Sequence, residues 1–523
     1  MKRYAILIAG ALLPLFAACT DTLVEPKSTV TGVNVFNDPA SYRAFLAKLY
    51  AGLAVSGQEG PAGRPDIQGI DEGFSQYLRL YWQMQELPTD EAAIAWNDAG
   101  VQELNTQLWG SSNQFLGAMY GRIYFQVALA NEFLRETTDA KLSERSVTNE
   151  LRAAIEQYRA EARFLRALSY WHGIDLFGDI PLVTEEQSIG KTPPQQSTRA
   201  AIFAFIESEL NEIGDQLAPA GAGQYGRADR AAAAMLLAKL YLNAGVYAGS
   251  DRNADALAAL ETVIGSGAFQ LDPDYAHLFL ADNHTSPEII FAIPQDGENT
   301  QSFGGTTFLT HASVGGSMDP AAFGLDFGWA GLRVRPEVFA LYPDDTGEDA
   351  RADVFYTDGQ TPAITSLTNF NDGIAAPKYS NVSSTGAPGS NPSYADTDFP
   401  VFRLADAYLM YAEAVLRGGG GSREQALGYV NELRERAYGG DGGAITDAQL
   451  TLEFILDERA RELFWEAHRR VDLIRYGLFT DAGVWAWKGN VRDGRPTEMF
   501  RNLYPLPASE LLANPNLVQN PGY

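Results

Sequence analysis

Two tryptophans lie in sequence contexts unlike a helix or strand interior. Trp96 sits in Ala95-Trp96-Asn97-Asp98-Ala99-Gly100 and Trp329 in Asp326-Phe327-Gly328-Trp329-Ala330-Gly331, both polar and glycine-containing. A ring in such a loop can lay an apolar face against the C–H face of a sugar while neighbouring Asn, Asp and Arg groups bond its hydroxyls. It can equally fold under its loop as local core, and at this stage both readings stand. Other chemistries are poorly represented. The five histidines, His172, His277, His284, His311 and His468, are scattered and form no H-E-x-x-H pair, so no metal site is expected. There is no G-x-S-x-G elbow or Walker loop, and the runs Gly418 to Gly421 and Gly439 to Gly443 lack the strand-before, helix-after context of a phosphate cradle. The acidic clusters Asp272/Asp274/Asp282 and Asp344/Asp345/Glu348/Asp349/Asp353 do not follow EF-hand spacing and read as solvated surface. The pairs Asp90/Glu91 and Asp71/Glu72 admit a glycosidase reading, which needs two carboxyls facing each other across a sugar bond. Acidic pairs arise readily among 66 Asp and Glu, however, and the expectation is a protein that is not an enzyme and needs no cofactor.

The single cysteine, Cys19, closes an apolar run from Tyr4 to Phe16 that follows Lys2 and Arg3 and passes through Ala17 and Ala18. That is the layout of a secretory signal (1–18) cleaved to leave an N-terminal cysteine for lipidation, followed by a polar tether over 19–37. With one cysteine, no disulfide can form within the chain. The formal net charge of −27 argues against nucleic acid, whose binders concentrate Lys and Arg, and against a basic membrane-contacting face. No later segment has the 18 or more apolar residues of a membrane span, so a lipid on Cys19 would be the only membrane anchor.

The elements that must position these residues are mostly helical. Asp38-Pro39 reads as an N-cap followed by proline at the first helical position, and Tyr42, Phe45, Leu46, Leu49 and Tyr50 then recur at helical spacing. Similar patterns predict helices near 113–135, 148–176, 198–217, 227–247, 252–264, 402–417, 422–438 and 447–476. Alanines interleaved with aromatics suggest tetratricopeptide-like helical hairpins, with ordinary amphipathic helices of one globular body as the alternative. Between 266 and 399 Gly, Asn, Ser, Asp and Pro dominate, and Glu288 to Ile293 reads as one of a few short strands. The expected fold is mainly α: a single body over 38–523, with helical scaffold in 38–265 and 400–523 and a loop-rich insert laid over it.

Four blocks carry a resemblance to a known family. They are the Cys19 N-terminus; Ala160-Glu161-Ala162-Arg163-Phe164-Leu165-Arg166-Ala167 with Asp175-Leu176-Phe177-Gly178-Asp179-Ile180-Pro181; Asp398-Phe399-Pro400-Val401-Phe402-Arg403-Leu404-Ala405-Asp406; and Asp457-Glu458-Arg459-Ala460-Arg461-Glu462-Leu463 running through His468-Arg469-Arg470-Val471-Asp472 to Tyr504-Pro505-Leu506-Pro507 and the C-terminal Asn520-Pro521-Gly522-Tyr523. Over essentially its whole length the chain resembles SusD/RagB outer-membrane lipoproteins. The charges in the last block look structural, with Glu466 facing Arg469 and Arg470 at i+3 and i+4, and Arg459 and Arg461 alternating with Glu458 and Glu462. The resemblance implies a tetratricopeptide-based protein at the cell surface that captures glycan and hands it to a SusC-like TonB-dependent β-barrel. A finer similarity, through Gly69-Ile70-Asp71-Glu72-Gly73, Tyr77-Leu78-Arg79 and Gln85-Glu86-Leu87-Pro88-Thr89-Asp90-Glu91 to Trp96-Asn97, is to the starch-binding members. By that similarity Trp96 and Trp329 would form an arc following an α-glucan, with Phe303 as a third ring, Asp71 and Arg79 bonding hydroxyls, and Asn97 beside Trp96. It also implies that a calcium ion can be present, with ligands the sequence does not map. A different glycan, a peptide cargo, or a purely protein-binding tetratricopeptide adaptor are the alternatives.

Overall fold

The computed structural model describes residues 35–36, 38–187, 190, 192–342 and 348–523. The expected signal, Cys19 and nearly all of the tether lie outside them, as do Asp344 and Asp345. Helix Pro39–Ala54 starts at the expected signal, with the Asp38 carboxylate accepting from the Ala40 amide at 2.9 Å and Pro39 in the first turn. Helices follow at Gln114–Glu136, Asn149–Phe177, Arg199–Ile213, Arg230–Leu242, Asn253–Gly265, Leu404–Leu416 and Arg423–Tyr438. Asn113, Thr148, Thr198, Asp229 and Ser422 cap their N-termini through side-chain oxygens, which fixes where these helices begin.

From 114–136 to 423–438, each of these helices packs on the next in chain order. Chain-order stacking lets helical repeats bury a continuous core although no single hairpin could bury its own apolar face. The helices approach closely where alanine replaces a larger side chain. Ala160, Ala162, Ala167, Ala238, Ala405 and Ala412 are fully buried, and Phe164 and Tyr170 fill the remaining space. The stack is spatially continuous even though the chain leaves it after Gly265 and rejoins it at Leu404, where helix 404–416 docks on 253–265.

The excursion supplies strands. Ile289–Ile293, the piece read as a strand, pairs antiparallel with Phe399–Arg403. A four-stranded sheet, unforeseen in the sequence, runs in the order Ala92–Ile94, Leu332–Val334, Gly373–Ala375, Tyr356–Thr361. Three of those strands have only three residues, too few to display a period of two. Buried residues of the excursion, including Ile290, Phe308, Leu332 and Phe402, belong to the same hydrophobic cluster as the helices.

The predicted helix over 447–476 is broken. It forms as Leu452–Glu462 and Arg469–Arg475, with Trp465 and Ala467 between them at φ of 59° and 64°. The break seats the fully buried Trp465 ring against Phe464 and edge-on to Trp82, whose indole N–H donates to the Trp465 carbonyl at 2.9 Å. The expected local pairing of Glu466 with Arg469 and Arg470 is therefore replaced. Glu466 binds Arg403 (2.6 Å) and Lys378 (2.8 Å), Arg469 binds Asp90 (2.7 Å), and Arg470 binds Asp175 (2.7 Å). Arg461 does pair with Glu458 one turn away at 2.8 Å, while Arg459 reaches Asp406 and Asp472. These groups are buried, so each charge needs a partner wherever the tertiary structure can place one.

Candidate functional site

Trp96 and Trp329 are 233 residues apart in sequence and adjacent in space. The sheet brings them together. Strand 92–94 pairs antiparallel with 332–334, Ile94 opposite Leu332, so the segment leaving the first strand and the segment entering the second lie at the same end. The Ala95 amide extends the pairing by donating to the Gly331 carbonyl at 2.8 Å. The Trp96 indole N–H then donates to the Trp329 carbonyl at 3.0 Å, and the ring centroids are 6.2 Å apart, tilted by 46°. Glycine is required at 331, because a Cβ there would come within 2.7 Å of the Trp96 ring. The Trp329 loop is zippered to the end of helix Gly305–Ala312, with the Trp329 amide donating to the His311 carbonyl and Ala330 to Val314. Ala330 sits at φ 48°, a left-handed conformation costly for a residue with a Cβ and here imposed by those flanking bonds.

Helix 305–312 forms the floor. His311 stacks under Trp329 at 4.6 Å with 23° between the planes, and its Nδ1 donates to the Phe327 carbonyl at 2.7 Å. Burial lowers the His311 pKa, so the imidazole is neutral and serves as an aromatic support. Phe308, one turn earlier, packs edge-on against Trp96.

Phe303, in the loop before this helix, continues the arc 6.3 Å from Trp329 at 58°, and Tyr394 follows 5.7 Å from Phe303 at 45°. Four half-buried rings, Trp96, Trp329, Phe303 and Tyr394, thus succeed one another with tilts of 46°, 58° and 45°, so that no neighbouring pair is coplanar. Tyr394 was missed in the sequence. Its setting, Asn391-Pro392-Ser393-Tyr394, has the same signal as the tryptophans, an aromatic in a polar loop, which is less distinctive among 24 tyrosines than among eight tryptophans.

The polar residues expected here divide. Asp71 and Asn97 are exposed, with Asp71 Oδ1 accepting from the Gly73 amide at 2.9 Å. Arg79, expected to bond hydroxyls, is instead 3% exposed beneath the rings. Its guanidinium lies 4.5 Å from the centroids of Phe74 and Phe308 and 5.5 Å from that of Trp96, and its Nη1 donates to the Gly73 and Phe303 carbonyls, both at 2.9 Å. It ties the loop of Asp71 to the loop of Phe303, which makes it a positioning residue. Burial lowers its pKa to about 9, opposed by Asp98 and Asp71, so it remains charged at neutral pH.

The carboxyls considered for hydrolysis are occupied elsewhere. Asp90 accepts two hydrogen bonds of 2.7 Å from Arg469, and buried Glu91 accepts from the Trp465 amide. Among the described residues no three His, Cys, Asp or Glu side chains converge on a position that could hold a metal ion; Asp272 engages His277, and Asp349 engages Arg351. A cavity of about 810 Å³ is lined by Phe125, Leu129, Leu182, Pro193, Pro194 and neighbours and includes none of the arc residues. Each of the four rings keeps part of its surface open to solvent.

The sequence matches the family model described as the SusD family over residues 348–523, and one described as starch-binding, associating with outer membrane, over 79–242. It is 35% identical to the starch-binding protein SusD of Bacteroides thetaiotaomicron, covering 99% of this chain and 98% of that one, and 27% identical to SusD-like protein P2 of Formosa agariphila, covering both throughout. The chain belongs to the SusD family. Similar solved structures include a SusD superfamily protein of B. thetaiotaomicron (TM-score 0.72, 19% identity, 92% of this chain and 99% of that one). Another is surface glycan-binding protein A of the same species in complex with laminarihexaose (TM-score 0.70, 20% identity, 92% and 99%). The mainly α, SusD-like fold expected from sequence is the fold observed. The blocks that carry the resemblance also meet in space: Asp175 of one pairs with Arg470 of another, and Asn520 donates to the carbonyls of Phe177 and Tyr504.

Proposed function

We propose that this protein is a cell-surface glycan-binding lipoprotein that captures α-glucan oligosaccharides on the Trp96–Trp329–Phe303–Tyr394 arc and delivers them to a SusC-like TonB-dependent barrel, held to the outer membrane through lipid on Cys19. The observation that carries the reading is the successive tilt of the four rings. A flat ribbon-like glycan would stack on coplanar rings, whereas a chain that turns at each linkage can keep its sugar faces on rings tilted from one another. The 35% identity to a starch-binding protein supports the α-glucan assignment, and exposed Asp71 and Asn97 are the proposed partners of its hydroxyls. The protein binds and does not cut, in keeping with the occupied Asp90 and Glu91.

Calorimetric titration of the mature protein with maltoheptaose and laminarihexaose tests the cargo. Binding of the first and not the second is expected, with no shortening of the sugar on long incubation. Preference for laminarihexaose would retain the arc and replace the glycan. Co-purification with a large β-barrel, lost from membranes in Cys19→Ser, tests delivery and anchoring.

A further inference from the structure

Outside the arc, Tyr225 is an exposed aromatic (40%) in a setting built to hold it still. It lies in Gly223-Gln224-Tyr225-Gly226, and the loop is pressed so closely onto Pro294 that a Cβ at Gly226 (φ 75°) would come within 2.4 Å of the proline ring. The Tyr225 hydroxyl donates to Oδ2 of buried Asp398 at 2.7 Å, and the other Asp398 oxygen accepts from the Gln295 amide, also at 2.7 Å. The phenol is thus anchored at its tip while much of the ring is open. A hollow flanks it on each side. One, about 240 Å³, is lined by Gly221, Gly223, Asp229, Phe269 and Ser286; the other, about 220 Å³, by Arg43, Leu46, Ala47 and Pro294. Gln224 borders both, exposed His284 stands edge-on to the ring at 6.3 Å, and Arg43 reaches Gln224 only at 3.4 Å. Arg227 is committed to Glu161 and forms wall.

We infer that Tyr225 is the platform of a second, smaller sugar-binding site, separate from the aromatic arc. A pre-set ring with amide, guanidinium and imidazole groups around its edge suits a pyranose, apolar on its face and polar at its rim. Both hollows fall below the roughly 300 Å³ at which drug-sized pockets begin, which matches one sugar unit apiece and not an enclosed chain. The site also adjoins the arc along the chain. Tyr394 belongs to the arc and Asp398 holds Tyr225, and four residues of extended backbone span at most about 14 Å. One long glucan can therefore engage both, gaining affinity by avidity that a short oligosaccharide lacks. This inference rests on the reading of the protein as a glycan binder, but not on the arc being the principal site.

The test uses affinity electrophoresis in starch and calorimetry with maltoheptaose on the intact mature protein and on Tyr225→Ala, Tyr225→Phe, Trp96→Ala/Trp329→Ala and the triple variant, with thermal unfolding to confirm that each is folded. Tyr225→Ala is expected to weaken retention by starch about tenfold, as loss of one aromatic contact of about 1.4 kcal/mol implies, and Tyr225→Phe to weaken it less. The double variant should keep residual retention that the triple variant loses. Wild-type retention in folded Tyr225→Ala, with binding abolished in the double variant, would overturn the second site and leave the arc intact. Unaltered binding in the double variant with loss in Tyr225→Ala would do the reverse. If all variants bind as wild type, both assignments fail.

Discussion

The aromatic arc and the charged interior behind helices 404–416 and 452–462 place side chains opposite to the usual rule. At the arc, large rings stand at the surface. In the interior, charged groups are sealed from water: Arg403, Glu288, Glu462 and Glu466 are each about 1% exposed or less, with Arg403 bonded to all three carboxylates at 2.6–2.8 Å. Arg436 bridges Glu288 and Glu462, and Arg351 joins Glu462 to Glu458. The difference separates two uses of an unfavourable placement. Half-buried rings keep a latent apolar gain that a ligand can realise, whereas buried ions have spent their electrostatics within the chain, where they specify which helix meets which. Arg403 and the Arg- and Glu-rich stretch 457–462 lie in the second region, and the proposed ligand platform lies in the first.

The contrast can be broken most forcefully at Arg403. Arg403→Met should cost about 3–5 kcal/mol, because it leaves buried carboxylates short of their counter-charge, and urea unfolding should show it with little change in sugar affinity of the protein that stays folded. Trp329→Ala should do the opposite, weakening maltoheptaose binding by about 1–3 kcal/mol while the unfolding midpoint moves little. Arg79→Lys tests the seam between the two regions. A lysine lacks the planar guanidinium that lies 4.5 Å from both Phe74 and Phe308 and presents Nη1 to the Gly73 and Phe303 carbonyls, so binding should weaken by about 1 kcal/mol through displacement of Phe303, and a retained wild-type affinity would show that the tie is dispensable.

The smallest effect concerns pH. Burial raises the Glu91 pKa from 4.5 to about 7, and burial beside Glu91 raises that of Glu86 as well. The folded state holds these protons where the unfolded state releases them, so their contribution falls as pH rises from about 4.5 toward 7. Glu458 and Glu462 run the other way. Although burial alone would raise them, Arg351 and its neighbours hold both below the usual range, so the stability they add is present above about 4.5 and lost in acid. Glu91→Gln should flatten the decline between pH 4.5 and 7 in urea midpoints and leave the acid limb unchanged; an unchanged decline would assign it to other groups.

Much of this was legible in the chain. Asp38-Pro39 announced a helix start, the alanine–aromatic interleaving announced close helical stacking, and Glu288 to Ile293 announced a strand, because caps, periods of 3.6 and β-branched runs act over a few residues. The break after Glu462 was not legible. Local charge spacing favoured one continuous helix, and only the cavity waiting for Trp465 and the distant partners Arg403 and Lys378 favoured turning the chain at 465–467. The role of Arg79 was hidden for the same reason: its type suggests a ligand group, and its burial under three rings makes it a support.

The tryptophans show where the division falls. By itself the sequence determined that Trp96 and Trp329 stand in polar, glycine-bearing loops, and glycine at 331 was there to be read. The resemblance offered Phe303 as a third ring, but the distances and tilts among the rings, and the place of Tyr394 as a fourth, were decided by a three-residue strand pairing across 238 residues and by one helix floor beneath it. Local chemistry is written in neighbouring residues, but a platform of tilted rings is a relation among four segments that meet only when the whole core condenses.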